Sequence, residues 1–99
     1  MARRAAKKDN NHNSIKAHLE AIGCVCADCH RHGDGFPDLF VYDPVCGLVW
    51  LAEIKSTKYN KLTPLEKKLF ERFDGCRYVV IWKSCEDAQL DIERARGVE

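Results

Sequence analysis

Two apolar runs joined by a short link bearing proline and glycine constrain this chain more than any other feature. Gly35-Phe36-Pro37-Asp38-Leu39-Phe40-Val41-Tyr42 and Leu48-Val49-Trp50-Leu51-Ala52-Glu53-Ile54-Lys55 flank Asp43-Pro44-Val45-Cys46-Gly47. Short runs of this composition read as strands, and the Pro and Gly between them read as a tight connection, so the pair is predicted to form a β-hairpin. The second strand turns charged at its far end. Side chains alternate along a strand, so Glu53 and Lys55 are expected on one face while Ile54 points into the opposite layer. Closing the hairpin carries Asp38, at the mouth of the first strand, towards the same end of the sheet.

The flanking segments supply the remaining elements. Ile15, Leu19 and Ile22 are spaced four and three apart, which predicts an amphipathic helix from Asn10 to about Ile22, stopped by Gly23. Cys24 to His30 reads as a first strand, and residues 30–35 as a polar turn; residues 56–61 form a basic loop. A helix over 64–74 is expected to bury Leu65, Leu69, Phe70 and Phe73, with Lys67, Lys68 and Arg72 outside and Gly75 at its end. The nearly continuous apolar run 77–82 predicts a strand covered on both faces. A strand–helix–strand crossover is right-handed, so 48–55 and 77–82 are expected to run parallel. Ser84-Cys85-Glu86-Asp87 caps a last helix, after which a charged tail follows. The element order is αβββαβα, the order of a mixed α/β (α+β) domain.

At 99 residues there is room for one core, here read as a basic arm over 1–9, a domain over 10–95 and a tail over 96–99. Hydrophobic residues make up 45% and charged residues 31%, which excludes a disordered chain, and no apolar stretch approaches the roughly 18 residues of a membrane span. The basic start Met1-Ala2-Arg3-Arg4-Ala5-Ala6-Lys7-Lys8 has no apolar region after it and is not a secretory signal, so a cytoplasmic location is expected. Net charge is only +1, but it is unevenly spread. Residues 1–18 carry Arg3, Arg4, Lys7, Lys8 and Lys16 against Asp9, and residues 55–72 carry six Lys and Arg against Glu66 and Glu71, a balance of +4 in each case. Residues 85–99 balance at −3. Such asymmetry suits one surface that follows a phosphate backbone, although a basic terminus is equally a solvated tail.

Six cysteines without a secretory context read as thiols rather than disulfides. Cys26-Ala27-Asp28-Cys29-His30 has the spacing of haem attachment, but lacks an export signal and an axial Met partner. Cys24, Cys26, Cys29, His30 and His32 offer zinc ligands, yet Cys46, Cys76 and Cys85 form no second ligand pair. Cys24 and Cys26 alternate like inward strand residues, so core thiols are the preferred reading, with a small zinc-binding interaction protein as the rival.

The charged hairpin end carries the chemistry. Mg²⁺ takes one or two carboxylates plus water and phosphate oxygens; Asp38 and Glu53 offer the carboxylates and the Ile54 carbonyl a neutral ligand. Lys55 can orient an attacking water and offset charge developing on a phosphoryl oxygen. In isolation Glu53 and Lys55 would be an ordinary surface ion pair. Pro37-Asp38 followed by Glu53-Ile54-Lys55 resembles the motif of the PD-(D/E)XK nucleases. Asp9-Asn10-Asn11-His12, Gly33 to Leu39, Leu62-Thr63-Pro64 and Tyr78-Val79-Val80-Ile81-Trp82 extend the likeness to small phage and bacterial nucleases of the VRR-NUC type.

That resemblance implies a restriction-endonuclease-like mixed β-sheet flanked by helices and Mg²⁺- or Mn²⁺-dependent cleavage of DNA, in a bacterial or phage-infected cell. Single-domain relatives are similar to homodimeric Holliday-junction resolvases, which implies branched DNA as substrate. Asp38, Glu53 and Lys55 match the catalytic positions, with Asp38, Glu53 and the Ile54 carbonyl on the metal and Asn11 assisting from the first helix. Lys58, Lys61, Arg3, Arg4, Lys7 and Lys8 are the expected phosphate contacts. Glu66 stands where such proteins often carry Gln, and Thr63-Pro64-Leu65-Glu66 is equally a capping box. His32 lies in a loop that can reach substrate or simply be solvated. The other function class open to such a chain is a non-catalytic DNA- or protein-binding module that keeps the nuclease fold.

Overall fold

The computed structural model describes residues 11–29, 35–56 and 62–97. Within them the chain forms α1 (His12–Ala21), β1 (Val25–Asp28), β2 (Leu39–Asp43), β3 (Leu48–Ile54), α2 (Pro64–Arg72), β4 (Val79–Trp82) and α3 (Cys85–Arg96). The strands make one four-stranded sheet in the order β1-β2-β3-β4. β1, β2 and β3 pair antiparallel, with Leu39 opposite Ala52 and Val41 opposite Trp50, while β4 runs parallel to β3 with Ile54 opposite Trp82. The mixed α+β architecture and the parallel crossover are those expected from the element order. No helix among the described residues is long and apolar enough to cross a membrane.

Alternation splits the hairpin into two faces. Leu39, Val41, Trp50, Ala52 and Ile54 point to one side, where they are buried with Ile15 and Leu19 of α1 and Ala88 and Ile92 of α3. Trp82 joins this core, and its indole N–H donates to Asp91 Oδ2 at 2.6 Å, so the one polar atom of a fully buried ring is satisfied. Cys24 belongs to the same cluster and all six thiols are free. Burial pushes the Cys24 thiol up to about 11 and the Cys26 thiol to about 12, so both stay protonated near neutrality.

A second buried feature lies at the hairpin turn. Asp43, fully buried, accepts from Val45 N at 3.0 Å and Cys46 Sγ at 3.2 Å, which shapes the turn from within. Arg96 closes on it with Nε at 2.8 Å from Oδ2 and Nη2 at 3.0 Å from Oδ1, and Nη2 also donates to the Ile22 carbonyl at 2.8 Å. One guanidinium thus ties the end of α3 to the β2–β3 turn and to the end of α1. Arg96 was expected in the tail; it belongs to the last turn of α3 instead.

Two burial expectations fail. α2 forms over Pro64–Arg72 but buries none of its residues; Leu65 is 54% and Phe73 41% exposed. β4 starts at Val79, and only Trp82 in it is fully buried, the other three being half-buried. The apolar spacing of both elements is real, but the face of the sheet opposite α1 and α3 is not fully covered by the described residues.

Candidate active site

The site is assembled by the hairpin register. Leu39 opposite Ala52 sets Asp38 beside the end of β3, and Asp38 Oδ2 accepts from Ile54 N at 2.9 Å. That bond takes the place of the next rung of the ladder. Leu51 N donates to the carbonyl of Tyr78, just before β4, and Lys55 N to that of Trp82 in β4, so the N–H groups of odd residues of β3 face β4 and those of even residues face β2. The N–H and C=O of one strand residue point the same way, which aims the Ile54 carbonyl to the Asp38 side as well. Cys29 N donates to the Asp38 carbonyl at 2.7 Å and fixes its backbone from β1.

Glu53 and Lys55 share a face, as alternation required. Glu53 is 2% exposed, and its Oε2 lies 3.4 Å from Lys55 Nζ. Lys55 Nζ also donates to Glu66 Oε1 at 2.9 Å. Glu66 comes from the first turn of α2, where it completes a capping box. Thr63 Oγ1 accepts from Glu66 N at 3.2 Å, and Thr63 N donates to Glu66 Oε1 at 2.9 Å. Capping and contact with the site, two readings of Glu66 set against each other by the sequence, are therefore both present. The link to Lys55 had no sequence signal, because it depends on where the crossover helix lands.

Asn11 reaches the same strand ends from α1. It stands at the N-cap position without capping the helix, because its side chain is spent elsewhere. Nδ2 donates to the Lys55 carbonyl at 3.0 Å and the Lys83 carbonyl at 2.6 Å, bridging the ends of β3 and β4. His12, next to it, is buried and lies 2.7 Å from Asp28 Oδ1 through Nε2, which fastens the start of α1 to β1. In the sequence His12 stands only as the end of Asp9-Asn10-Asn11-His12, with nothing to assign it this contact with Asp28.

Charge is concentrated and incompletely balanced. Burial first, then the neighbouring carboxylates of Glu66 and Asp38, hold Glu53 well above the usual carboxylate range. Burial also opposes ionisation of Glu66, but its contacts with Glu53, Lys55 and Thr63 outweigh that and lower it. Lys55 pays a desolvation cost too, and the two glutamates still raise it, so it stays an ammonium. Among the described residues, Glu53 Oε1 and Asn11 Oδ1 are the buried side-chain oxygens without a hydrogen-bond partner. A buried acceptor left unpaired in this way calls for an explanation such as an ion or a water.

Asp38, Glu53, Ile54, Lys55, Asn11 and Glu66 thus meet at one end of the sheet. Lys58, Lys61, His32, Arg3, Arg4, Lys7 and Lys8 lie outside the described residues. No cluster of three or more His, Cys, Asp or Glu side chains suited to a metal ion is found among the described residues. The donor set at the hairpin end is of another kind, two carboxylates and a carbonyl. Comparison with family models, with curated proteins and with solved structures finds no match to this chain.

Proposed function

We propose that this chain is a divalent-metal-dependent endodeoxyribonuclease of the PD-(D/E)XK kind, hydrolysing phosphodiester bonds and selective for branched DNA. One observation carries the reading. Asp38, fastened to Ile54 N, stands beside a buried Glu53 whose Oε1 has no partner, at the strand end where Lys55 emerges. Two carboxylates and a carbonyl form a hard-oxygen donor set, and the unpaired Oε1 is the atom a cation would satisfy. Mg²⁺ or Mn²⁺ would be held by Asp38, Glu53 and the Ile54 carbonyl, and when bound it supplies Lewis-acid stabilisation and a more acidic water.

The chain's own residues do the rest. Lys55 presents its ammonium to a reacting phosphate, holding the attacking water and countering charge on the phosphoryl oxygens. Glu66 acts through Lys55, fixing the direction of the side chain from α2. Asn11 locks the ends of β3 and β4, so that the Glu53–Lys55 segment keeps its shape. The chain's cations outside the described residues, Lys58 and Lys61 together with Arg3, Arg4, Lys7 and Lys8, suit the phosphate backbone. Paired incision of a four-way junction needs two centres, which a two-fold homodimer would supply.

The test is cleavage of a labelled four-way junction, flap, duplex and single strand with Mg²⁺, Mn²⁺ or EDTA. Cleavage is expected with either metal and not with EDTA, and Asp38→Ala and Lys55→Ala are each expected to lower the rate about 10²-fold or more. A folded protein that binds DNA but cuts none of the four substrates would overturn the assignment in favour of a non-catalytic module.

A further inference from the structure

Among the described residues, nothing fully covers the antiparallel half of the sheet face that carries Glu53. Alternation places Val25 and Ala27 of β1, Phe40 and Tyr42 of β2, and Val49 and Leu51 of β3 on that side. Phe40 and Tyr42 are each 38% exposed, and Val25 and Val49 beside them are exposed as well. Large aromatic side chains on a central strand ordinarily lie under a helix. Here α1 and α3 cover the other face, and no residue of α2 is fully buried.

The position of these rings is what points to a ligand. Asp38, Phe40 and Tyr42 follow one another at two-residue steps, so a single row runs from the proposed catalytic carboxylate onto two partly exposed aromatic side chains. Phe40 is paired with Leu51, and Glu53 is the next residue of β3 on the same side. Steps of two residues along a strand measure about 6.7 Å, roughly twice the 3.4 Å per nucleotide of a stacked strand. The row therefore matches bases drawn apart in an extended single strand, whose faces are free to stack, and not the closed stack of a duplex. Sheets with exposed aromatic side chains receive successive unpaired bases in this manner. The charge agrees. Beyond Asp38 and Glu53, no acidic side chain projects from β1, β2 or β3 on this face, and the helix whose first turn meets Lys55 carries exposed Lys67, Lys68 and Arg72 against one exposed acid, Glu71.

We propose that Phe40 and Tyr42 form a stacking platform for two unpaired bases of the DNA strand entering the Asp38–Glu53–Lys55 centre, so that the chain selects DNA with unpaired bases beside the cut. This rests on the nuclease reading of that centre and adds the feature by which flaps and other branched DNA with unpaired bases would be told from plain duplex and from a fully paired four-way junction.

Binding without turnover tests it. Full-length protein without divalent metal is titrated with a single strand, a flap whose unpaired arm carries 2-aminopurine, and a blunt duplex. The probe is expected to change its fluorescence on stacking, and the single strand and flap to bind about tenfold or more tightly than the duplex. Phe40→Ala and Tyr42→Ala should each weaken flap binding about tenfold, leave duplex binding unmoved and keep the melting temperature, whereas Phe40→Trp should retain affinity. Equal affinities of wild type and both alanine variants for the flap would overturn the platform. So would sedimentation showing that the alanine variants dissociate a wild-type dimer without altering binding per chain, which would make this face a protein interface. The two readings fail separately: a stacked probe with no cleavage in the substrate panel removes the nuclease alone, and cleavage with an unperturbed probe removes the platform alone.

Discussion

Glu66 serves two structures with one carboxylate. Its Oε1 accepts from Thr63 N, which closes the first turn of α2, and from Lys55 Nζ, which lies at the charged end of β3. A carboxylate so close to Lys55 also faces the place where a phosphate would approach, and like charges repel. Glu66→Gln keeps an acceptor for both donors and removes that charge. Its expected outcome is near-wild-type stability with severalfold tighter DNA binding in a titration at low salt. Glu66→Ala loses both bonds; it should cost about 1 kcal/mol in urea unfolding, the usual worth of a cap, and should lower cleavage by releasing Lys55. A cleavage rate unchanged in Glu66→Ala would show that the helix contact does nothing for the lysine.

Among elements, α2 and β4 are less buried than their sequences imply, and Gly35 explains how α2 is seated with none of its residues fully buried. Its φ is +77°, and a Cβ there would stand 2.5 Å from the carbonyl carbon and oxygen of Leu65 and 2.7 Å from Glu66 N. The turn before Asp38 thus meets the backbone of α2 directly, at its first turn. Gly35→Ala should cost about 3 kcal/mol, left-handed strain plus displacement of the helix, and should weaken cleavage. Gly47→Ala, with φ of +77° but open space around the added methyl, should cost about 1 kcal/mol and leave cleavage alone. Equal losses in thermal unfolding would show that the close approach to Leu65 is unimportant. The hairpin and the approach of Asp38 to the strand end carrying Glu53 and Lys55 were legible because period-two alternation and a short turn leave little freedom. The spacing of Leu65, Leu69, Phe70 and Phe73 by four, one and three residues likewise announced a helix. It said nothing of what would cover those side chains, because amphipathicity names a face and not its partner. The same blindness hid Phe40 and Tyr42: where both sides of a strand are apolar, alternation separates the faces but does not say which one stays open.

For the whole molecule, the decisive link is the ion pair between Asp43 and Arg96, whose partners are 53 residues apart. It joins the β2–β3 turn, the end of α1 through the Ile22 carbonyl, and the end of α3. Neither residue stood out in the sequence, since an aspartate before a Pro reads as an ordinary turn residue and an arginine near the end as tail. Arg96 holds the Asp43 carboxyl down at about 2, below its ordinary 3.8, against the opposing effect of burial. A depressed carboxyl stabilises the fold above its unfolded pKa, and that stabilisation is lost as pH falls through the folded one. The contribution is therefore complete at neutral pH, on the order of 2 kcal/mol, and disappears between about pH 4 and pH 2. Arg96→Ala leaves the carboxylate buried and unpaired, with an expected cost of about 3–5 kcal/mol at pH 7. In that variant Asp43 takes up a proton at higher pH than in the wild type, so acidification relieves the variant while it weakens the wild type. The stability gap between the two, followed by urea unfolding from neutral pH downward, should narrow steadily towards pH 2. A gap that stays constant with pH would mean that Arg96 contributes through its packing and its bond to Ile22, and that its charge on Asp43 does not hold the three elements together.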